Sequence, residues 1–594
     1  MRITFVIVIA LLSILLGGIA MADNNTAIEG SWSGPLQVPN AHLTIVFNIS
    51  RSPQGNLTAT MDSPDQGAKG IPIDSALFTN NHLHLIMVAI KGSYEGDLKP
   101  DGTIAGTWTQ GGSGFPLVLS RSDQKAAEPS IPPAAAPAPA KGNGPIDGSW
   151  LGTLEFSGNK LRVVYTFSTD SAGKFTARMA SPDQGVKNIP IDEATFVNNH
   201  LHIAVKALIG TYEGDYDPAK SVINGQWTQS GNTLPLILAR TEGLAKPNRP
   251  QEPKPPFPYD QRDVTYENKA AGLTLAGTLT YPRTGTPSPA VIMITGSGLQ
   301  NRDEEIFDHK PFWVMADYLT RRGIAVLRVD DRSVGGSTGS AKNATSLDFV
   351  GDVMASLAFL KTQKEVDPKQ IGLIGHSEGG MIGPMVAVKD PTIKFVVVMA
   401  GPGETGKKIL LAQTALHLKG MKAPEDDIAK ALKLNEETYD IVLTEPDSAK
   451  AADKIRALSL KEVDSATMAD TAQASAIRAA TEVSVKQIMS PWFRYFLAFD
   501  PVPTLRQLKC PVLAINGSLD KQVSPKENLA GIEAALKAGG NKDFLVKELP
   551  GLNHLFQTAP TGTPLEYATI EETISPMALS TMGDWIVAHV TLKK

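Results

Sequence analysis

Ile371-Gly372-Leu373-Ile374-Gly375-His376-Ser377-Glu378-Gly379-Gly380 places a serine inside G-x-S-x-G directly after a short apolar run. Such a run predicts a buried strand, and the small residues after it predict a sharp turn into a helix. A serine hydroxyl is a poor nucleophile alone. Held on a strained, exposed strand-to-helix turn, it can give its proton to a histidine, and small flanking residues let strand and helix pack closely enough for that turn. A plain glycine-rich turn carries the same letters, so the reading depends on partners elsewhere in the chain.

Those partners occur in the order that this chemistry uses, with the acid after the serine and the histidine last. Three histidines lie C-terminal to Ser377. His417 falls in a predicted helical stretch and His589 in the closing helix from Met582 to Val590, which reads both as surface or packing residues. His554 follows the last predicted strand in Gly551-Leu552-Asn553-His554 and is the expected base. For the acid, Asp520 sits just after the strand from Val512 to Asn516, whereas its competitor Asp500 precedes that strand. Asp520 is therefore expected to hold the imidazole. Two backbone N–H groups are needed for an oxyanion: one from Glu378, the other from Gly298 or Leu299 in the loop after the strand from Ala290 to Thr295. Nucleotide fingerprints are absent from that loop, so phosphate binding is not expected.

From about Arg262 onward, strand and helix patterns alternate: a leading hairpin, strands at Ile324 to Val329 and Phe395 to Met399, and helices at Phe312 to Arg322 and Ser346 to Thr362. This predicts a mainly parallel sheet covered on both faces. A helical Ala/Lys/Glu-rich stretch, about 403–494, interrupts the alternation and reads as a cap insertion. The motifs Gly296-Ser297-Gly298 with Arg302-Asp303-Glu304, Gly375 to Gly380, Ile515 to Asp520, and Leu552-Asn553-His554 make residues 261–594 resemble the α/β-hydrolase superfamily. Within it, the likeness is to bacterial exported esterases related to dienelactone hydrolases and serine-aminopeptidase-like hydrolases. The resemblance implies Ser377, Asp520 and His554 as a catalytic triad, without cofactor or metal. One departure is Ser333, where relatives carry a glycine in D-x-R-G-x-G-x-S; a positive φ there would be strained for serine.

The first third of the chain holds a duplication. Met61 to Gly67 recurs at Met179 to Gly185, 118 positions on, and Gly30-Ser31-Trp32 recurs as Gly148-Ser149-Trp150 at the same offset. Short alternating runs between Gly, Asn and Pro turns predict two antiparallel, barrel-like modules, 28–121 and 146–241. Their likeness to lipocalin-like barrels is loose and identifies no ligand. Trp32, Trp108, Trp150 and Trp227 read as core anchors. The pairs His82/His84 and His200/His202 lack an acidic or cysteine neighbour at ligand spacing and are not expected to hold metal. Pro-rich stretches at 122–145 and 242–260 read as linkers.

Arg2, the apolar run from Phe5 to Leu16, and Ala20-Met21-Ala22 predict a signal peptide over 1–22, hence export to a periplasmic or extracellular space with no membrane span after cleavage. Cys510 is the only cysteine, so no internal disulfide can form. A net charge of −5 over 594 residues, without a basic run, gives no footprint for nucleic acid. The expected function is an exported carboxylesterase acting on a small-molecule ester. Alternatives are a thioesterase or aminopeptidase-like amidase of the same fold, or a protein whose modules bind an unknown ligand or surface polymer beside a degenerate hydrolase domain.

Overall fold

The computed structural model describes residues 28–121, 144–242, 248–461 and 471–592, apart from short loop segments within the first two ranges. The expected signal peptide and most of the first linker lie outside the described residues.

Residues Gly30–Arg121 form nine antiparallel strands, and Gly148–Thr241 form nine more in the same order. In each, the first strand pairs with both the second and the last, and the edge strands are consecutive in sequence, so the meander curls back toward itself. Alternation sends one face inward, and that face carries the aromatic residues. Trp32, Trp108, Trp150 and Trp227 are all buried, so these rings are core anchors. The duplication persists in atomic detail. Trp32 Nε1 donates to the Ile28 carbonyl at 2.7 Å, and Trp150 Nε1 to the Ile146 carbonyl at 2.6 Å. Arg121 and Arg240 each stand 4.8 Å over the corresponding indole.

The C-terminal region is built on an eight-stranded sheet. Its spatial order is Tyr259–Asn268, Leu273–Pro282, Ala325–Val329, Ser288–Ile294, Val366–His376, Val396–Met399, Val512–Gly517 and Phe544–Leu549. The first three strands pair antiparallel and the remainder parallel. All seven residues of Ser288–Ile294 are buried because both faces of the sheet are covered. Ala290, Ile292 and Ile294 pack with Val350, Leu357, Ile382 and Val386 on one side. Val291 and Met293 pack with Phe312, Met315, Leu319 and Met582 on the other. Burying each such aliphatic side chain stabilises the fold by roughly 1.5–3 kcal/mol relative to exposure.

This order places a switch point between Ser288–Ile294 and Val366–His376. From the first of these strands the chain moves outward to Ala325–Val329, then crosses back to the other side. Loops leaving the two neighbours therefore diverge, and a crevice opens at their C-terminal ends. Gly296 and Ser377 both lie there.

Between Val396–Met399 and Val512–Gly517 the chain forms the helices Gly406–Gly420, Glu425–Thr444, Ser448–Lys461, Thr471–Ile488 and Pro491–Ala498. The helical insertion thus runs past the expected end near Arg494. Ser490 caps the last of these helices by accepting from the Phe493 N–H, Pro491 takes its first position, and Phe493 and Leu497 join an apolar cluster with Tyr439 and Val442. Ser333 has φ of 69°, so a serine does occupy a left-handed position there, its N–H donating to the Thr338 carbonyl.

Candidate active site

Ser377 follows the strand Val366–His376 and precedes the helix Gly379–Lys389, with φ of 52°. Serine enters this region only at a cost, so the surrounding packing enforces the turn. Glycines make the packing possible. A side chain at Gly375 would collide with the Gly379 carbonyl, and one at Gly379 with the Ile294 carbonyl.

Asp520 and His554 meet on adjacent loops beyond the strands Val512–Gly517 and Phe544–Leu549. His554 Nδ1 lies 2.8 Å from Asp520 Oδ2, and both side chains are buried. Asp520 Oδ1 accepts from the N–H groups of Gln522 and Val523, which fixes the carboxylate plane. With Nδ1–H donated to Asp520, the His554 ring keeps its lone pair on Nε2. The loop is pinned from within: Asn553 Oδ1 accepts from the N–H groups of Leu555 and Gln557. Asp500 instead caps its own turn by accepting from the Val502 N–H. His589 stacks on Trp585 in the closing helix at 4.0 Å.

Of the expected oxyanion donors, Glu378 is the residue before the helix Gly379–Lys389, where aligned peptide dipoles favour negative charge. Gly298 has φ of 93°, a conformation open to glycine. Among the described residues, no hydrogen bond takes up the backbone N–H of Gly298, Leu299 or Glu378. A methyl group placed at Gly296 would stand 3.2 Å from Ser377 Cβ, so this loop lies against Ser377.

Two carboxylates with structural partners flank the serine. Glu378 Oε1 accepts from Ser346 Oγ at 2.5 Å and from Trp492 Nε1 at 2.9 Å, and burial pushes its carboxyl above the usual range. Trp492 belongs to the helical insertion, which therefore touches the residue next to Ser377. Glu304 Oε1 accepts from the Gly296 N–H at 2.7 Å and from His376 Nδ1 at 3.0 Å. The other nitrogen, His376 Nε2, faces the His554 carbonyl oxygen at 3.0 Å. Both ring nitrogens thus face acceptors, which calls for the doubly protonated imidazolium. The balance agrees: burial opposes the charge, but Glu304 and the His554 carbonyl outweigh it and raise the His376 pKa.

The sequence had offered Arg302-Asp303-Glu304 as a motif without a role for each residue. Arg302 holds Asp330 through two nitrogens, at 2.7 and 3.1 Å, and Asp303 pairs with Arg328. Glu304 reaches the site itself.

At the base of the loop that carries Gly296 and Gly298, Asp331 accepts from Thr295 Oγ1 and from the Gln300 N–H at 2.8 Å. It lines a cavity with Thr295, Gly298, Asp352 and Glu378; Ser377, Asp520 and His554 are not part of that lining. Burial raises the Asp331 carboxyl to about 8. Between about pH 4 and that value the folded state keeps a proton that the unfolded state has lost, so its stabilising contribution is complete at acid pH and disappears as pH rises through about 8. Asp331→Asn removes the titration. The melting temperature of the variant relative to wild type should climb from pH 5 to about pH 8 and level off above it, whereas a flat difference would show that the carboxyl titrates normally.

In the second β-module, His200 and His202 do have acidic partners, contrary to the sequence reading. Antiparallel register sets them opposite Asp215 and Glu213 on the next strand. His200 bonds Asp215 at 2.7 Å and Glu213 at 3.0 Å, His202 bonds Glu213 at 2.6 Å, and the two carboxylates raise the His200 pKa. Among the described residues no group of three or more His, Cys, Asp or Glu side chains is arranged to hold a metal ion. No helix among them is long and apolar enough to cross a membrane.

A family model for X-Pro dipeptidyl-peptidase (S15 family) matches residues 271–546. Esterase EstD of Thermotoga maritima is 25% identical over 313 residues, 52% of this chain and 64% of the esterase. Polyketide transferase ATR5 of Stachybotrys chlorohalonatus is 33% identical over 133 residues, 22% of this chain and 41% of the transferase. The chain thus spans less than two thirds of either relative's own length. Among solved structures, the alpha/beta hydrolase GrgF from Penicillium sp. is similar at 17% identity and a TM-score of 0.34, covering 56% of this chain and 99% of that one.

Proposed function

We propose that this chain, whose C-terminal region resembles the α/β-hydrolases in sheet order and in its family and esterase matches, is an exported serine hydrolase, a carboxylesterase acting on small to medium acyl esters. The observation that carries the reading is the buried Asp520–His554 pair, 2.8 Å apart, on loops beside a serine at φ of 52°. In this reading Ser377 Oγ attacks the ester carbonyl while His554 Nε2 takes its proton. The carbonyl oxygen, now an anion, is held by the N–H of Glu378 and that of Gly298 or Leu299. His554 then returns the proton to the departing alcohol, Asp520 stabilising the imidazolium meanwhile. Water activated by the same histidine releases the acid.

Export rests on the N-terminal sequence. The cap role of the insertion is supported by Trp492, whose indole reaches Glu378.

The family match to X-Pro dipeptidyl-peptidase favours a second reading, cleavage of an amide from a substrate with a free amine. Such an amine needs an available carboxylate. Glu304 and Glu378, the carboxylates flanking the serine, are buried, and each holds two groups of the fold through Oε1: the Gly296 N–H and His376, and Ser346 and Trp492. This supports the ester reading. p-Nitrophenyl esters of graded acyl length, run beside X-Pro anilides, separate the two: esters should turn over with kcat/KM at least about 100-fold higher. Faster anilides would sink the esterase reading, and failure of a fluorophosphonate to label the wild type would favour the binding-protein alternative.

A further inference from the structure

Residues 248–252 lie in the Pro-rich stretch ahead of the strand Tyr259–Asn268, and their side chains hold a loop near the other end of the chain. Arg249 is buried between two exposed neighbours, Asn248 and Pro250. Its Nη1 donates to the Ile570 carbonyl at 2.7 Å, and its Nη2 to the carbonyls of Phe307 and Ala568 at 2.8 and 3.1 Å. Gln251 grips the same loop in both directions. Its Nε2 donates to the Ile574 carbonyl at 2.7 Å, and its Oε1 accepts from the N–H groups of Thr573 and Ile574. Residues 568–574 belong to no helix or strand, so their backbone groups need partners that secondary structure does not supply. The rigid fork of a guanidinium serves several carbonyls of one turn together, which an amine cannot do.

From the gripped loop, hydrogen bonds lead on to Asp520 and to the loop of His554. Tyr567, the residue before Ala568, accepts through its hydroxyl from Gln522 Nε2 at 3.2 Å, and the Gln522 N–H is one of the two donors that fix Asp520 Oδ1. His309 lies 3.0 Å from both the Tyr567 carbonyl oxygen and Thr573 Oγ1, and 2.9 Å from the Gln557 side chain. Gln557 Oε1 accepts from Asn553 Nδ2 at 2.9 Å, and the Ser575 N–H donates to the Phe556 carbonyl at 2.8 Å. Asn553 and Phe556 bracket His554. His309, Asn553, Gln557 and Tyr567 are all buried, so this network is part of the packed interior.

We propose that residues 248–252 form a strap that positions Asp520 and His554 for the reaction, with Arg249 and Gln251 as positioning residues acting through residues 567–575. The proposal rests on the serine hydrolase reading and adds to it a segment outside the sheet and its loops. Its physical basis is the steep dependence of proton transfer on distance. A displacement of about 1 Å among reacting groups costs about 100-fold in rate, and loops are the part of a fold most able to shift that far.

The test uses the full-length chain and p-nitrophenyl acetate, at a temperature where circular dichroism shows each variant to be folded. Arg249→Met removes the fork and keeps the stem, Arg249→Lys keeps the charge without the fork, and Gln251→Ala removes the second grip. Arg249→Met should lower kcat about 100-fold and Gln251→Ala about tenfold, with KM changed less than about twofold. Arg249→Lys should recover part of the loss. A strap that serves stability alone would lower the melting temperature and leave kcat of the folded variants at the wild-type value. That result in Gln251→Ala and Arg249→Lys overturns the proposal even where Arg249→Met does not fold, and so does a loss confined to KM. Wild type that a fluorophosphonate does not label overturns the serine hydrolase reading beneath it instead.

Discussion

Ser377→Ala should lower kcat on a p-nitrophenyl ester by about 10⁶-fold and abolish fluorophosphonate labelling, while shifting the melting temperature little. The reasoning begins with the backbone. Alanine and serine carry the same Cβ into the φ of 52° that the elbow imposes, so exchanging one for the other leaves the strain unchanged. Ser377→Gly is the control. It removes the same hydroxyl but also the Cβ, and should be more stable than Ser377→Ala by on the order of 1 kcal/mol, hence melt higher. Two variants equally dead yet differing in stability would tie the strain to the nucleophile's position. Asp520→Asn tests the next link, because an amide cannot hold Nδ1–H of His554 as a carboxylate does; about 10⁴-fold should be lost from kcat. Retention of labelling in Ser377→Ala would mean that another residue is the nucleophile.

Several parts of this site were readable because the letters themselves encode geometry. Gly375 and Gly379 face carbonyls that leave no space for a side chain, so the glycines that mark the elbow in sequence are those its packing needs. That Asp520 and His554 meet was legible in chain order, since each lies in the loop after a strand and neighbouring strands bring their loops together. Strand order was less accessible. Nothing local in Ser288–Ile294 says that it sits between Ala325–Val329 and Val366–His376, yet that placement makes the crevice.

The same limit hid partners that depend on register or on burial. In the sequence His200 and His202 read as lacking acids because Glu213 and Asp215 lie on the next strand, opposite them only once the register is known. His417, which is buried, carried no sequence mark separating it from a solvent-facing histidine, because helical spacing does not say which neighbour covers a face. Glu304 and His376 are 72 residues apart and meet only across the switch point.

That last pair yields the second large effect. Glu304→Ala should cost about 3–5 kcal/mol of stability, because it leaves the buried His376 imidazolium without its counter-charge and the Gly296 N–H without its acceptor. It should also lower kcat/KM by about 100-fold, the usual consequence of a misplacement near 1 Å among reacting groups. Glu304 need not touch substrate for this. Through one oxygen it ties the loop at Gly296 to His376, the residue before Ser377, and His376 passes the tie to the His554 carbonyl at 3.0 Å. Glu304→Gln separates charge from shape, since its oxygen can accept both hydrogen bonds without balancing the imidazolium. The sign with pH follows from the raised His376 pKa. Stability contributed by the pair is complete below the ordinary histidine value, near 6.5, and disappears as pH rises through the raised one. Wild type should therefore exceed Glu304→Gln in melting temperature most at about pH 6, and the gap should narrow at alkaline pH. A gap that widens with pH would mean that His376 is neutral in the folded protein, and that the three loops are held by hydrogen bonds alone.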